Sequence, residues 1–584
     1  MKNMKPLIAA IVFAVVATGM TFAGAQTEGG AVDETRANRL IVVMDGGRVP
    51  DPTNWNPYSV GVRLDVGGHS GMMEYLFYFN LETGDVIPWL GESFEYNDDF
   101  TEVTVALRDG AEWGDGVPFT ADDVVFTVNM LKANAPTLSY SAAMDEWVKE
   151  MQKIDDHTVK FILNKPNSRF VNSQLMVEIW GALPIVPKHV WENEDPLTFK
   201  AFDDTQDPKV VGTGPFKLTK ATQEEIIYER RDDWWGAKTG FHALPEVKEL
   251  VWIGGTEETR AALLASNDLD YPGYMTKGTF EVARAKNANV RAWSNDLPYA
   301  WMEPVPLTLP INTLIEPWDD PEMRWALNFA LDRDEMAAIA WEGISAPLGS
   351  MFAPTAPLNK FLEDNKDLFE KYPVMEHNPE KTSQILTSKG YTKDRSGYWV
   401  GPDGDRLEIT VEAAAEWPEQ KKMGMVIAEQ LVRAGFDAKA RIMEWSTLSD
   451  KFATGESTTW AYWLVAGVSE PYPFLDYYHS KWVNPIGERQ DENHSRWSNP
   501  DYDAVVDAMS ALTADNPEYW SLARQALEIW MRELPMIPTT TQPALLPLNS
   551  TYWTNWPTAE NNYIQPYYQC GTMLQIILEL KKAQ

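Results

Sequence analysis

Rings and amides, more than nucleophiles or metal ligands, are the residues of this 584-residue chain whose placement suggests chemistry. Trp417 follows the apolar segment LEITVEAAAE (407–416), Trp445 follows FDAKARIM (436–443), and the loop 467–473 follows TTWAYWLVA (458–466). Upstream, Asn54-Trp55-Asn56-Pro57-Tyr58 sets a ring between two amides in a stretch with no apolar stripe. An amide offers a hydroxyl both a donor and an acceptor, and a flat ring stacks on the C–H face of a sugar. Such a set recognises an uncharged polyol and makes no covalent bond. Other tryptophans (147, 191, 252, 325, 341 and 530) fall within helical or strand patterns and read as packing, because the side chain carries so much apolar area.

Reactive groups are sparse by comparison. Cys570 is the single cysteine, so neither a disulfide framework nor a thiolate metal cluster can form within the chain. The seven histidines (69, 157, 189, 242, 377, 479, 494) are far apart, without HExxH or paired metal spacing. Gly212-Thr213-Gly214 lacks the third glycine of a dinucleotide fingerprint and the Lys-Ser/Thr of a P-loop. No cofactor and no metal are expected. A hydrolase needs two carboxylates flanking the scissile bond at about 5–10 Å. Among 85 acidic residues such a pair can always be imagined, and none is singled out. The net charge of −35 and sequence pI near 4.6 exclude nucleic acid, whose phosphates need a cationic surface.

The elements that must hold the rings are legible from capping and periodicity. Thr120 and Asp123 resemble a capping box opening the helix ADDVVFTVNMLKAN. Asp320 precedes Pro321 and an apolar helical stripe, and Asn378-Pro379 starts a helix closed by Gly390. The clearest unit is a βαβ crossover: strand 407–416, a helix from Pro418 to a stop at Gly435, and strand 436–443. Parallel α/β sheets bind ligands beyond the carboxyl ends of their strands. Trp417, Trp445 and the loop 467–473 stand at those ends.

At the N-terminus, Lys2 and Lys5 precede an apolar run over 6–23, and Ala23-Gly24-Ala25 offers a small-x-small cleavage site. This predicts a signal peptide (1–25), export, and a mature charge that moves from −35 to −37 on loss of the two lysines. With no cysteine near the cut to carry a lipid anchor, the periplasm is the expected compartment.

Six motifs in order carry a resemblance: GDVIPWLGES (84–93), LRDG (107–110) with WGDG (113–116) and PFTADDV (118–124), VGTGPFK (211–217), DDPEMRWALNFALDR (319–333), NPDYD (499–503) and LPMIP (534–538). Over about 40–557 the chain resembles the family 5 extracellular solute-binding proteins of ATP-driven importers of peptides, nickel and oligosaccharides. The resemblance implies an α/β fold of two lobes closing on a solute like a hinged trap. Lobe I would comprise 38–71, 206–302 and 541–584, an inserted subdomain 72–205, and lobe II 303–540. It also implies a monomer that delivers its solute to an ABC permease whose associated subunits hydrolyse ATP.

Peptide-binding relatives place a carboxylate where Gly467 aligns on Glu470-Pro471-x-x-Phe474-Leu475, and an acidic residue where Asn56 aligns. A peptide ammonium would lack its partner there, at a cost of several kcal/mol. Their ligand-lining tryptophan aligns with Trp445, and a second one falls at Leu464, beside Trp463. The tail TYWTNWPT (551–558) is similar to the branch that binds cellobiose and related β-linked oligosaccharides. The resulting candidate site is Asn54, Trp55, Asn56, Tyr58, Trp417, Trp445, Trp460, Trp463, Gly467, Tyr472, Thr541 and Gln542. The expected ligand is a β-linked oligosaccharide, with an oligopeptide as the alternative. With no ionic contact assigned, its affinity is expected to be flat in salt and from pH 5 to 8.

Overall fold

Two antiparallel strands, Trp301–Pro310 and Met536–Ala544, tie the molecule together. At one end Trp301 packs on Tyr567 of the C-terminal segment, with ring centroids 4.8 Å apart. At the other end Pro310 accepts a hydrogen bond from Thr459 Oγ1 at 2.7 Å, deep in the second lobe. The ladder between them skips from Glu303 to Leu307 because Pro304 and Pro306 have no N–H to donate. This computed structural model describes residues 35–44, 48–201, 210–464 and 467–583; the expected signal peptide lies outside the described residues.

The first lobe is organised on a four-stranded sheet ordered Arg39–Val43, Glu249–Ile253, Glu225–Arg230, Phe216–Ala221, with the first pair parallel. Between the first strand and the rest, the chain builds an antiparallel sheet from Gly91–Tyr96, Glu102–Leu107, Thr158–Leu163 and Val148–Asp155. The C-terminal segment returns to the first sheet. There Trp553 Nε1 donates to Arg39 O, and Lys582 Nζ donates to Asn38 Oδ1.

In the second lobe, Glu408–Ala414, the helix Pro418–Ala434 and Asp437–Met443 make the parallel crossover, and Gly435 stops the helix at φ +100°. The segment expected as one strand over 458–466 is divided. Thr459–Trp460 joins the parallel sheet, whereas Tyr462–Trp463 pairs with Leu307 and Thr308 of the crossing strand. The chain changes sheets at Ala461, so Trp460 and Trp463 serve different surroundings.

The motif residues turn out to be architectural. Thr120 and Asp123 close their capping box. A Cβ on Gly212 or Gly214 would lie 2.0 Å from Met72 O or 2.4 Å from Gly71 O, so the GTG stretch answers to close backbone approach. Buried Arg324 donates to the carbonyls of Trp318, Asp319 and Glu533, and buried Arg333 to Pro538 O and Asn328 Oδ1. Trp191, Trp252 and Trp530 are core residues, and Trp147, Trp325 and Trp341 pack against the core.

Candidate functional site

Three tryptophans meet at the carboxyl ends of the second-lobe strands. Trp417 precedes the helix Pro418–Ala434, and Trp445 opens the helix Trp445–Thr454. The Trp445 N–H is fixed by the Glu416 carboxylate, 3.0 Å from either oxygen. The Trp417 ring lies 5.0 Å from Trp445 and 4.7 Å from Trp463, edge to face with both. All three are half-buried, leaving apolar ring area available to a flat partner. Trp463 Nε1 is buried and has no hydrogen-bond partner among the described residues.

A polar cluster sits on the crossing strands. Glu303 and Gln542 oppose each other in register, and Gln542 Nε2 donates to Glu303 Oε2 at 3.1 Å. Glu303 is 2% exposed, and burial pushes its carboxyl up to about 7, partly offset by the nearby hydroxyls of Tyr274 and Tyr567. Glu419, in the first turn after Trp417, adds a repulsive charge and is itself raised by burial. The Tyr567 ring is contacted by Trp301 at 4.8 Å and by the half-exposed Trp180 at 5.8 Å. Among the described residues, Glu303 Oε1, Gln542 Oε1 and Tyr567 OH are buried without a hydrogen-bond partner.

The remaining sequence candidates stand elsewhere. Asn56 is fully buried; its Nδ2 donates to Pro196 O and Phe199 O, and its Oδ1 accepts from Tyr58 N. Trp55 donates to Pro52 O and packs on Tyr228, Asn54 Oδ1 accepts from Asn56 N, and Tyr58 OH donates to Pro184 O. This loop is a self-satisfied knot, and its partners outside it include Pro52, Pro184, Pro196, Phe199 and Tyr228. Trp460 is completely buried and stacked on Phe452, centroids 5.4 Å apart and planes 8° apart. Thr541 Oγ1 is engaged by the backbone of Ala346. Gly467 packs on Pro473, whose Cγ would lie 2.8 Å from an added Cβ.

Tyr472 has a partner that its sequence neighbourhood could not reveal. The Arg169 guanidinium lies 3.9 Å over its ring and pairs with Glu470 at 2.7 Å, while also donating to Ser510 O and Leu512 O. Tyr519 OH donates to the same Glu470. Beside them Ser469 Oγ donates to Glu178 at 2.6 Å, and burial holds the Glu178 carboxyl up to about 7. Sequence reasoning missed Arg169, Glu178, Glu303 and Glu419. None lies in a motif, and the hydrogen-bonded partners of the first three, Glu470, Ser469 and Gln542, are 301, 291 and 239 positions away in the chain. No group of three His, Cys, Asp or Glu among the described residues is placed to hold a metal ion, and no described helix is long and apolar enough to cross a membrane.

Comparison with known proteins agrees with this architecture. Residues 85–485 match the bacterial extracellular solute-binding proteins, family 5, middle region. Heme-binding protein A of Haemophilus influenzae is 26% identical over 498 residues, covering 81% of this chain and 82% of its own. The dipeptide-binding protein of Escherichia coli is 24% identical over 525 residues, covering 86% and 89%. A periplasmic oligopeptide-binding protein of Thermotoga maritima superposes with a TM-score of 0.80 at 24% identity, over 94% of this chain and all of that one. Its mannohexaose-bound structure superposes at 0.71 and 23% identity, over 94% and 99%. The fold is thus the two-lobe α/β fold of periplasmic binding proteins, and the hydrolase alternative falls away. The chain belongs to the family 5 bacterial extracellular solute-binding proteins, the solute-capturing components of ATP-driven importers, and is a binding protein, not an enzyme.

Proposed function

We propose that this protein captures an uncharged oligosaccharide in the periplasm, between its two lobes, and hands it to a membrane permease. The observation that carries the reading is the Trp417–Trp445–Trp463 cluster at the strand ends, beside a loop whose one carboxylate, Glu470, is occupied by Arg169. Stacking rings are the sugar-directed half of such a site. An α-ammonium would find no free carboxylate in the described part of the loop 467–473. That the Thermotoga maritima protein holds mannohexaose shows that this fold admits a sugar. Closure acts through the ligand's preference for the closed form.

One observation favours the oligopeptide alternative. The charge of Glu419 reaches Glu303 by repulsion, and two carboxyls in one neighbourhood would attract an ammonium. The Escherichia coli relative is named for dipeptides. A thermal-shift panel of β-glucan, xylan, chitin and mannan oligomers with free peptides separates the two. A raised melting temperature with a sugar and none with peptides supports the proposal, and the reverse pattern replaces it.

A further inference from the structure

Among the described residues, three buried polar atoms at the crossing strands lack a well-formed hydrogen bond: Glu303 Oε1, Gln542 Oε1 and Tyr567 OH, the last lying close enough to Glu303 and Tyr274 to interact with both. A buried polar group left unpaired is costly, and native proteins keep few of them. These three come from distant segments. Glu303 and Gln542 are held together by the strand register, and Tyr567 is held by Trp301 and Trp180. Glu303 is the common neighbour, touched by Gln542 and faced by Tyr274, Tyr567 and Glu419. Cys570, fully buried, also lies within its field.

We propose that Glu303, Gln542 and Tyr567 form a hydroxyl-binding subsite between the lobes, taking adjacent hydroxyls of an uncharged oligosaccharide. A vicinal diol matches the set. Each hydroxyl donates one hydrogen bond and accepts others, so one can donate to Gln542 Oε1 and its neighbour can donate to Glu303 Oε1 while accepting from Tyr567 OH. The Trp180 ring, half-exposed and 5.8 Å from Tyr567, flanks the place where the C–H face of the same sugar unit would lie. An ordered water could satisfy the same atoms, and the test separates the two.

This subsite rests on the oligosaccharide reading, so wild type, E303Q and Y567F are titrated together, by calorimetry, with mannohexaose, cellohexaose and trialanine. Both variants preserve side-chain shape, and their melting temperatures report whether folding is intact. A wild type that binds a hexaose, with either folded variant at least tenfold weaker, supports the subsite. Sugar binding that is equal in wild type and both variants assigns the three atoms to water and overturns the subsite while leaving the function standing. Binding of trialanine alone, or of none of the three probes, overturns both.

Discussion

Arg169 and Glu470, 301 positions apart in the chain, meet Nε to Oε1 at 2.7 Å and Nη2 to Oε2 at 3.2 Å, with the guanidinium 3.9 Å above the Tyr472 ring. Their side chains are 13% and 11% exposed, so water screens the pair poorly. Removing one partner of a buried pair strands the other and typically costs about 3–5 kcal/mol. Arg169→Ala should destabilise by an amount near that range, and Glu470→Gln by less, because Tyr519 OH and Arg169 can still bond the amide oxygen. Urea unfolding of both variants and their double mutant checks this; additive losses would show that the pair is not coupled.

The two kinds of tryptophan should respond oppositely to truncation. Trp445→Ala removes a half-buried ring from the cluster proposed to stack on the ligand and should weaken sugar binding by about 1–3 kcal/mol, the scale of aromatic stacking platforms, with little change in melting temperature. Trp460→Ala empties the stack on Phe452 and should destabilise by about 3–5 kcal/mol. Calorimetry and thermal melts on both variants decide the matter. A Trp445→Ala variant with wild-type affinity would remove that ring from the site.

Asn56 illustrates what could and could not be read from the sequence. Its amide chemistry was legible, but the choice between ligand hydroxyl and backbone carbonyl depends on segment 196–199, which only the fold brings to it. The βαβ crossover and its two ring positions follow from local periodicity, which is why Trp417 and Trp445 are together. Trp460 and Trp463 share one apolar run, and only the switch between sheets at Ala461 separates the buried ring from the half-buried one. Glu303 was hidden among prolines. The prediction for Asn56→Ala is therefore a loss of stability of about 1–3 kcal/mol from the unpaired Pro196, Phe199 and Tyr58 groups, with ligand affinity unchanged. A folded variant with impaired binding would return this loop to the site.

Buried carboxyls set a pH dependence that composition does not disclose. Burial holds Glu74, Glu178 and Glu303 up to about 7, against 4.5 for an exposed glutamate. A group with a raised folded pKa binds its proton more tightly when folded. Its stabilising contribution is complete below about pH 4.5 and is lost as the pH rises through about 7. These carboxyls pull stability down between pH 5 and 8, opposed below about pH 6.5 by His69 and His494, whose imidazoles burial holds down to about 4 and about 3. Glu303→Gln should flatten the carboxyl part of that fall, by on the order of 1–3 kcal/mol at pH 8. Denaturant midpoints of wild type and Glu303→Gln at pH 5, 6.5 and 8 test it, and a pH dependence identical in the two proteins would contradict it. If Glu303 lines the ligand as proposed, affinity should slope over pH 5–8 near its titration; if it does not, the expected flat affinity stands.

The central claim is that the ligand is an uncharged sugar held by rings. It is tested most directly by calorimetric titration of the wild-type mature protein with mannohexaose, at low and at physiological salt. Charge-free recognition predicts saturable binding whose affinity is nearly the same in both, because no counter-ion is released. Absence of binding to mannohexaose and to every other neutral oligomer, with saturable binding of a free peptide that disappears when its termini are capped, would contradict it.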